Sequence, residues 1–230
     1  MKVLLFGATG MVGSGVLLEC LDAASVREVV VIGRSPTGRT HPKLREVLHT
    51  DFSTFDSLRA ELAGVDACFF CLGVSSIGMD EAQYTRLTYD LTLAAARALL
   101  AVSPQATFCY VSGVGTDETE HGRLMWARVK GRTENALLGL GFRAAYMFRP
   151  GFIRPVKGAR SKVGWIHRLY VILSPLTALV AALLPGKVVT TAIIGRAMLH
   201  VATAGYPRPR LEPPDIARAG RAQPDTQTAT

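Results

Sequence analysis

The sequence predicts an α/β fold, a doubly wound parallel sheet with helices on both faces. Three observations lead there. Short runs that are apolar at consecutive positions, and so on both faces of a strand, recur through the first 150 residues. Helical patterns alternate with these runs. A glycine-rich turn stands between the first run and the first helix.

The elements follow in order. VLLF (3–6) is the first strand, and a helix is expected near 11–22. VREVVVIG (26–33) is the second strand and EVLHT (46–50) the third. A helix near 54–62 leads to DACFFCLG (66–73), the fourth strand. Residues 80–101 contain no Gly or Pro and read as one long helix. ATFCYVSG (106–113) is the fifth strand. A helix over 121–139 ends at Gly139 and Gly141, and RAAYMFRPG (143–151) is the sixth strand. Beyond Gly151 the alternation stops, and helices are expected near 188–203 and 211–218. The tail from 220, GRAQPDTQTAT, has no large apolar residue and is expected to be disordered.

Composition excludes several classes. The chain has 230 residues, 49% hydrophobic and 19% charged, which excludes a mainly disordered protein. Four cysteines exclude a disulfide scaffold and fit a reducing compartment. Only four apolar residues follow Met1-Lys2 before Gly7, too few for a secretion signal, so the expected location is the cytoplasm. The net charge of +8 is uneven. Residues 1–120 hold 9 Lys/Arg and 14 Asp/Glu, net −5, while residues 121–230 hold 17 and 4, net +13. No nucleic-acid-binding pattern accompanies that charge, so no nucleic-acid partner is expected. Residues 169–184 carry no charge, but 16 residues with Pro175 among them fall short of a spanning helix. With the basic run at 154–168, they offer a peripheral membrane contact through 154–184.

The opening turn, Gly7-Ala8-Thr9-Gly10-Met11-Val12-Gly13, carries the clearest chemistry. Glycines at this spacing allow a tight turn and close approach of backbone to a pyrophosphate, which the next helix meets with free N–H groups. At the end of the second strand stand Arg34 and Ser35, where an acidic residue would bind the ribose 2′-hydroxyl of NAD. A guanidinium suits a 2′-phosphate instead, so the expected cofactor is NADP, with NAD as the alternative.

With that turn, the chain resembles the short-chain dehydrogenase/reductase superfamily, in particular its atypical or extended branch of NAD-dependent epimerases/dehydratases. The resemblance spans roughly residues 2–157. It implies a Rossmann fold and places Asp51 and Phe52 near the adenine. It also implies that the backbone at Cys71, Leu72 and Gly73 lines the cofactor, and that Pro150 and Gly151, after Arg149, border it. Ser112 and Lys130 fall where the family holds substrate and nicotinamide ribose.

One position departs from the family. Its Tyr-x-x-x-Lys is here Trp126-Ala127-Arg128-Val129-Lys130. Indole donates a hydrogen bond but exchanges no proton near neutral pH, so the family's ketone–alcohol mechanism loses its proton donor. The site expected from the sequence is therefore Ser112 and Trp126 around a substrate oxygen, with Lys130 on the ribose. Tyr84, Tyr89, Tyr110 and His121 are the other candidate donors. Cys68 and Cys71 spell C-x-x-C, but within a strand they face opposite ways and are expected in the core. No metal site is expected.

The expected organisation is a dinucleotide-binding domain at 1–157, a short C-terminal helical lobe for substrate at 158–219, and the tail at 220–230. The expected function is an NAD(P)-binding oxidoreductase or epimerase acting on a small molecule, with a non-standard proton donor. Two rivals stand beside it: an NADP(H)-binding sensor without catalysis, and a membrane-associated oxidoreductase acting on a lipid-like substrate.

Overall fold

A computed structural model describes residues 1–156 and 188–222. In chain order the elements are β1 (Lys2–Phe6), α1 (Met11–Asp22), β2 (Glu28–Gly33), β3 (Leu44–Leu48), α2 (Arg59–Leu62), β4 (Ala67–Phe70), α3 (Glu81–Thr85), α4 (Leu91–Leu100), β5 (Thr107–Val111), α5 (Met125–Leu138), β6 (Ala144–Phe148), β7 (Phe152–Arg154), β8 (Val188–Thr190), α6 (Thr191–Ala204), β9 (Arg210–Leu211) and α7 (Pro213–Ala222). Seven strands form one parallel sheet in the order β3-β2-β1-β4-β5-β6-β9. β7 and β8 pair separately. The strand order reverses between β1 and β4, and ligands of such sheets bind beyond the strand C-termini at that point.

Alternation along each strand builds two core layers. Val3 and Leu5 of β1 face one side with Val29, Phe69 and Cys109, where α1 and α6 supply Val16, Leu17, Ile194 and Met198. Leu4 and Phe6 face the other with Val30, Cys68 and Phe108, against Ala95, Ala96 and Leu99 of α4. Each such large side chain contributes ~1.5–3 kcal/mol by leaving water. Cys68 therefore faces the layer opposite the one Cys71 packs on, and burial pushes both thiols up.

Several boundaries move. The third strand is Leu44–Leu48, two residues ahead of the expected 46–50. The expected helix at 121–139 starts at Met125, because Asp117 ties down the loop before it. Its Oδ2 accepts from Gly122 N at 2.6 Å and its Oδ1 from Thr119 Oγ1 at 2.6 Å. The long helix at 80–101 contains a π-turn at Arg86–Asp90 between α3 and α4. Residues 188–190 are strand, and Thr190 Oγ1 caps α6 by accepting from Ile193 N.

The expected helix at 211–218 becomes β9 followed by α7, with Pro213 at the first helical position, where a missing N–H is harmless. Of the residues assigned to a C-terminal lobe, α6 lies on α1 and β9 adds to the sheet beside β6. The expected disordered tail begins too early at 220, because Gly220–Ala222 complete α7, where Gly220 packs so closely on α6 that a Cβ would lie 2.5 Å from Ile193 O. Lys157–Arg168, the apolar stretch 169–184 and residues 223–230 lie outside the described residues. Among the described residues, no helix is long and apolar enough to cross a membrane, and no group of His, Cys, Asp and Glu could hold a metal ion.

Candidate active site

The glycine turn is dictated by close approach. Gly7 has φ +79°, and a Cβ there would lie 2.6 Å from the Cys71 carbonyl carbon at the end of β4. A Cβ on Gly13 would lie 2.1 Å from Gly7 O. Side chains at these two positions would push α1 off the sheet. Gly10 N donates to Gly7 O at 2.9 Å, and Gly10 begins α1 without any side-chain cap. The first turn of α1 carries no acid. Its N–H groups and the positive end of the helix dipole are thus available to an anion. Gly10 is exposed, and Thr9, Met11 and Val12 are half-buried around it. This cradle fits a pyrophosphate.

The neighbouring positions are uneven. Arg34 is exposed directly after β2, and Ser35 is half-buried beside it. Asp51 is exposed, and its carboxyl is held below the usual range by the Ser53 hydroxyl and amide. Phe52 is buried edge-on to Phe6 and Phe55, a core position. Leu72 N lies 2.7 Å from where a Gly7 Cβ would be, so the end of β4 abuts the turn. Gly73 is exposed just beyond.

Past the C-terminal ends of β4, β5 and β6 lies a cavity of about 950 Å³. Ser112, Trp126, Lys130, Pro150 and Gly151, all singled out in the sequence, share its wall. Among its described lining residues only Lys130 and Glu212 are charged. Lys130 Nζ donates to Ser112 O at 2.6 Å. Burial lowers the Lys130 pKa to about 8, opposed by Glu134. The Trp126 indole packs beside Gly115.

Sequence reasoning missed Glu134. It lies four residues after Lys130 and eight after Trp126, on the same face of α5. It is fully buried. Ser112 Oγ donates to Glu134 Oε1 at 2.5 Å. Arg149 holds the same carboxylate in a two-pronged contact, Nε to Oε1 at 3.0 Å and Nη2 to Oε2 at 2.6 Å. Arg210 of β9 adds a third contact, to Oε2 at 3.3 Å. The spacing of four from Lys130 was the available signal. Of the other candidate donors, Tyr84 lines the cavity. Tyr110 is buried in β5, Tyr89 lies under the Arg132 guanidinium at 4.7 Å, and His121 is exposed.

Known proteins agree with this architecture. Leucinostatins biosynthesis cluster protein T of Purpureocillium lilacinum is 29% identical over 61% of this chain and 52% of its own. Protein fmp52, mitochondrial, of Emericella nidulans is 29% identical over 66% of each chain. The match thus spans about half to two thirds of these relatives' length. In structure, the Bordetella bronchiseptica enzyme WbmF in complex with NAD+ superposes with a TM-score of 0.67 over 96% of this chain and 77% of its own, at 17% identity. That likeness is one of fold.

One expectation is corrected. The cytoplasmic location is overturned by relatives named as mitochondrial proteins, from Emericella nidulans among others. Reduced cysteines report a redox environment and not an organelle, so they never distinguished the two. A family model described as the NAD dependent epimerase/dehydratase family matches residues 3–119, half of the chain. With the glycine turn and the strand order agreeing, the chain, an α/β protein, belongs to the NAD dependent epimerase/dehydratase family.

Proposed function

We propose that the chain reduces a small, largely apolar carbonyl compound, or oxidises the corresponding alcohol, with NADP(H) as the preferred cofactor. The observation that carries this reading is the shared location of two features. The anion cradle at Gly7–Gly13 and the apolar cavity holding Ser112, Trp126 and Lys130 both open at the C-terminal edge of the sheet. When bound, a nicotinamide dinucleotide supplies hydride exchange. The chain's part is binding and orientation. The first turn of α1 holds the pyrophosphate, Arg34 with Ser35 meets a ribose phosphate, and Lys130 holds the nicotinamide ribose. As an ammonium, Lys130 also favours negative charge developing on a substrate oxygen.

The apolar wall favours a hydrophobic substrate over a nucleotide sugar. The relatives' names support a mitochondrial setting. The test is a panel of ketones and aldehydes with NADPH and with NADH, following loss of the reduced cofactor. Turnover with NADPH is expected. Tight NADPH binding without turnover of any carbonyl would sink this reading. It would favour the second one, a dinucleotide-binding sensor. That reading draws on Trp126, which has no exchangeable proton where the family carries one. The reading of a membrane-associated enzyme rests on residues 154–184, of which 157–184 lie outside the described residues.

A further inference from the structure

We propose that Tyr84 is the residue that exchanges a proton with the substrate oxygen in this cavity. The proposal rests on the reading of the site as a carbonyl-reducing one, and it names the donor that Trp126 cannot be. Three observations converge on Tyr84. It lies in the wall of the same cavity as Ser112, Trp126 and Lys130. Of the four donors the sequence offers, it is the one the cavity's described lining includes; Tyr89, Tyr110 and His121 are not in that lining. Tyr84 also precedes the π-turn at Arg86–Asp90, an irregularity that recurs at functional sites.

Burial holds the Tyr84 phenol above its ordinary pKa, offset in part by the Thr88 hydroxyl. The phenol is therefore protonated at neutral pH and acts as a donor. In reduction, a hydride from the reduced dinucleotide forms the new C–H bond at the carbonyl carbon. The C=O π pair moves to oxygen and takes the proton from Tyr84 Oη as the phenol O–H bond breaks. The carbonyl gains two electrons, the nicotinamide loses two, and the tyrosinate recovers a proton from water. Oxidation of the alcohol runs the same transfers backwards.

Tyr84→Phe keeps the ring and removes only the hydroxyl. NADPH binding by this variant should match wild type, which reports that it folds. Its kcat for ketone reduction should fall ~10²-fold or more with KM nearly unchanged. A second readout needs no turnover. In fluorotyrosine-labelled protein carrying NADP+, acetophenone should move the ¹⁹F resonance of Tyr84 further than ethylbenzene, which has the same shape without the carbonyl. The Tyr84→Phe spectrum assigns that resonance. The proposal is overturned if Tyr84→Phe keeps kcat within about threefold of wild type, or if acetophenone moves the resonance no further than ethylbenzene. If wild type reduces no ketone, the reading of the site falls, and the resonance alone decides for Tyr84.

Discussion

Ser112 gives its hydroxyl proton to Glu134, at 2.5 Å from Oγ to Oε1. A second acceptor, Phe148 O, stands at 3.1 Å, but a hydroxyl has one proton and the nearer, charged oxygen takes it. Ser112 therefore meets a ligand in the cavity as an acceptor, unless Glu134 releases it. A buried carboxylate survives here because Arg149 and Arg210 neutralise it and fill its lone pairs.

Breaking that arrangement from the acid's side should be costly. Glu134→Gln takes from Arg149 its two-pronged buried partner and leaves it the more exposed Glu212 at 3.2 Å and Glu118 at 3.6 Å, and the expected loss is about 3 kcal/mol. Ser112→Ala removes one hydrogen bond and should cost ~1 kcal/mol. Urea unfolding of both variants checks this. If Glu134→Gln costs no more than Ser112→Ala, the ion pair does not hold this wall together.

Lys130 gives stability a pH dependence whose sign can be worked out. Its pKa falls from 10.5 to about 8 on folding, chiefly through burial. Between those values the unfolded chain binds more protons than the folded one, so stability rises with pH. Below about 8 both states are charged, and the full cost of burying the ammonium is present. Across pH 8 to 10 wild type should gain ~2 kcal/mol from this group, and Lys130→Met should remove that gain. Over the same window the buried thiols of Cys20, Cys68, Cys71 and Cys109, raised in the fold, work the other way, so the Lys130 gain is read as the difference between the wild-type and Lys130→Met curves. Parallel wild-type and Lys130→Met curves would show that Lys130 is solvated.

The sheet was legible because its strands are apolar on both faces, as in VVVI of β2 and ACFF of β4. β3 slipped by two residues because it is a half-exposed edge strand, LREVL, whose pattern constrains register weakly. β9 has two residues, too few for any period to show. The glycine turn was legible because its chemistry is local. Glu134 was not, because a glutamate on a helix reads as solvated until its cations arrive. Arg149 comes from 15 residues away and Arg210 from 76. The π-turn beside Tyr84 has no sequence signature at all.

Cofactor preference should follow Arg34. It is exposed after β2, beside the strand that feeds the glycine turn, so a ribose phosphate can reach it without cost to the core. NADPH should bind roughly 10- to 100-fold tighter than NADH, the worth of a charge-assisted contact of ~1.5–3 kcal/mol. Arg34→Ala should remove most of that difference and leave NADH binding nearly unchanged. Calorimetry with both cofactors decides it, and equal wild-type affinities would end the assignment to NADP.

Trp126 offers a test by rescue. It stands four residues before Lys130 on the cavity face of α5, so a phenol placed there would sit near an ammonium able to stabilise its anion. With Tyr84 as donor, the indole is an apolar wall. Trp126→Tyr should then change ketone reduction by no more than about threefold in the wild-type chain, because proton transfer is already supplied. In the Tyr84→Phe chain the same substitution should matter far more, since it provides the missing acid, and recovery of ~10–10³ in kcat is expected. Steady-state kinetics of the four chains with one ketone and NADPH measure both effects. If Trp126→Tyr slows the wild-type chain more than ~10-fold, the indole itself belongs to the working site. If it fails to rescue Tyr84→Phe while NADPH still binds, a phenol at 126 does not reach the reacting oxygen, and the α5 wall serves only to shape the cavity.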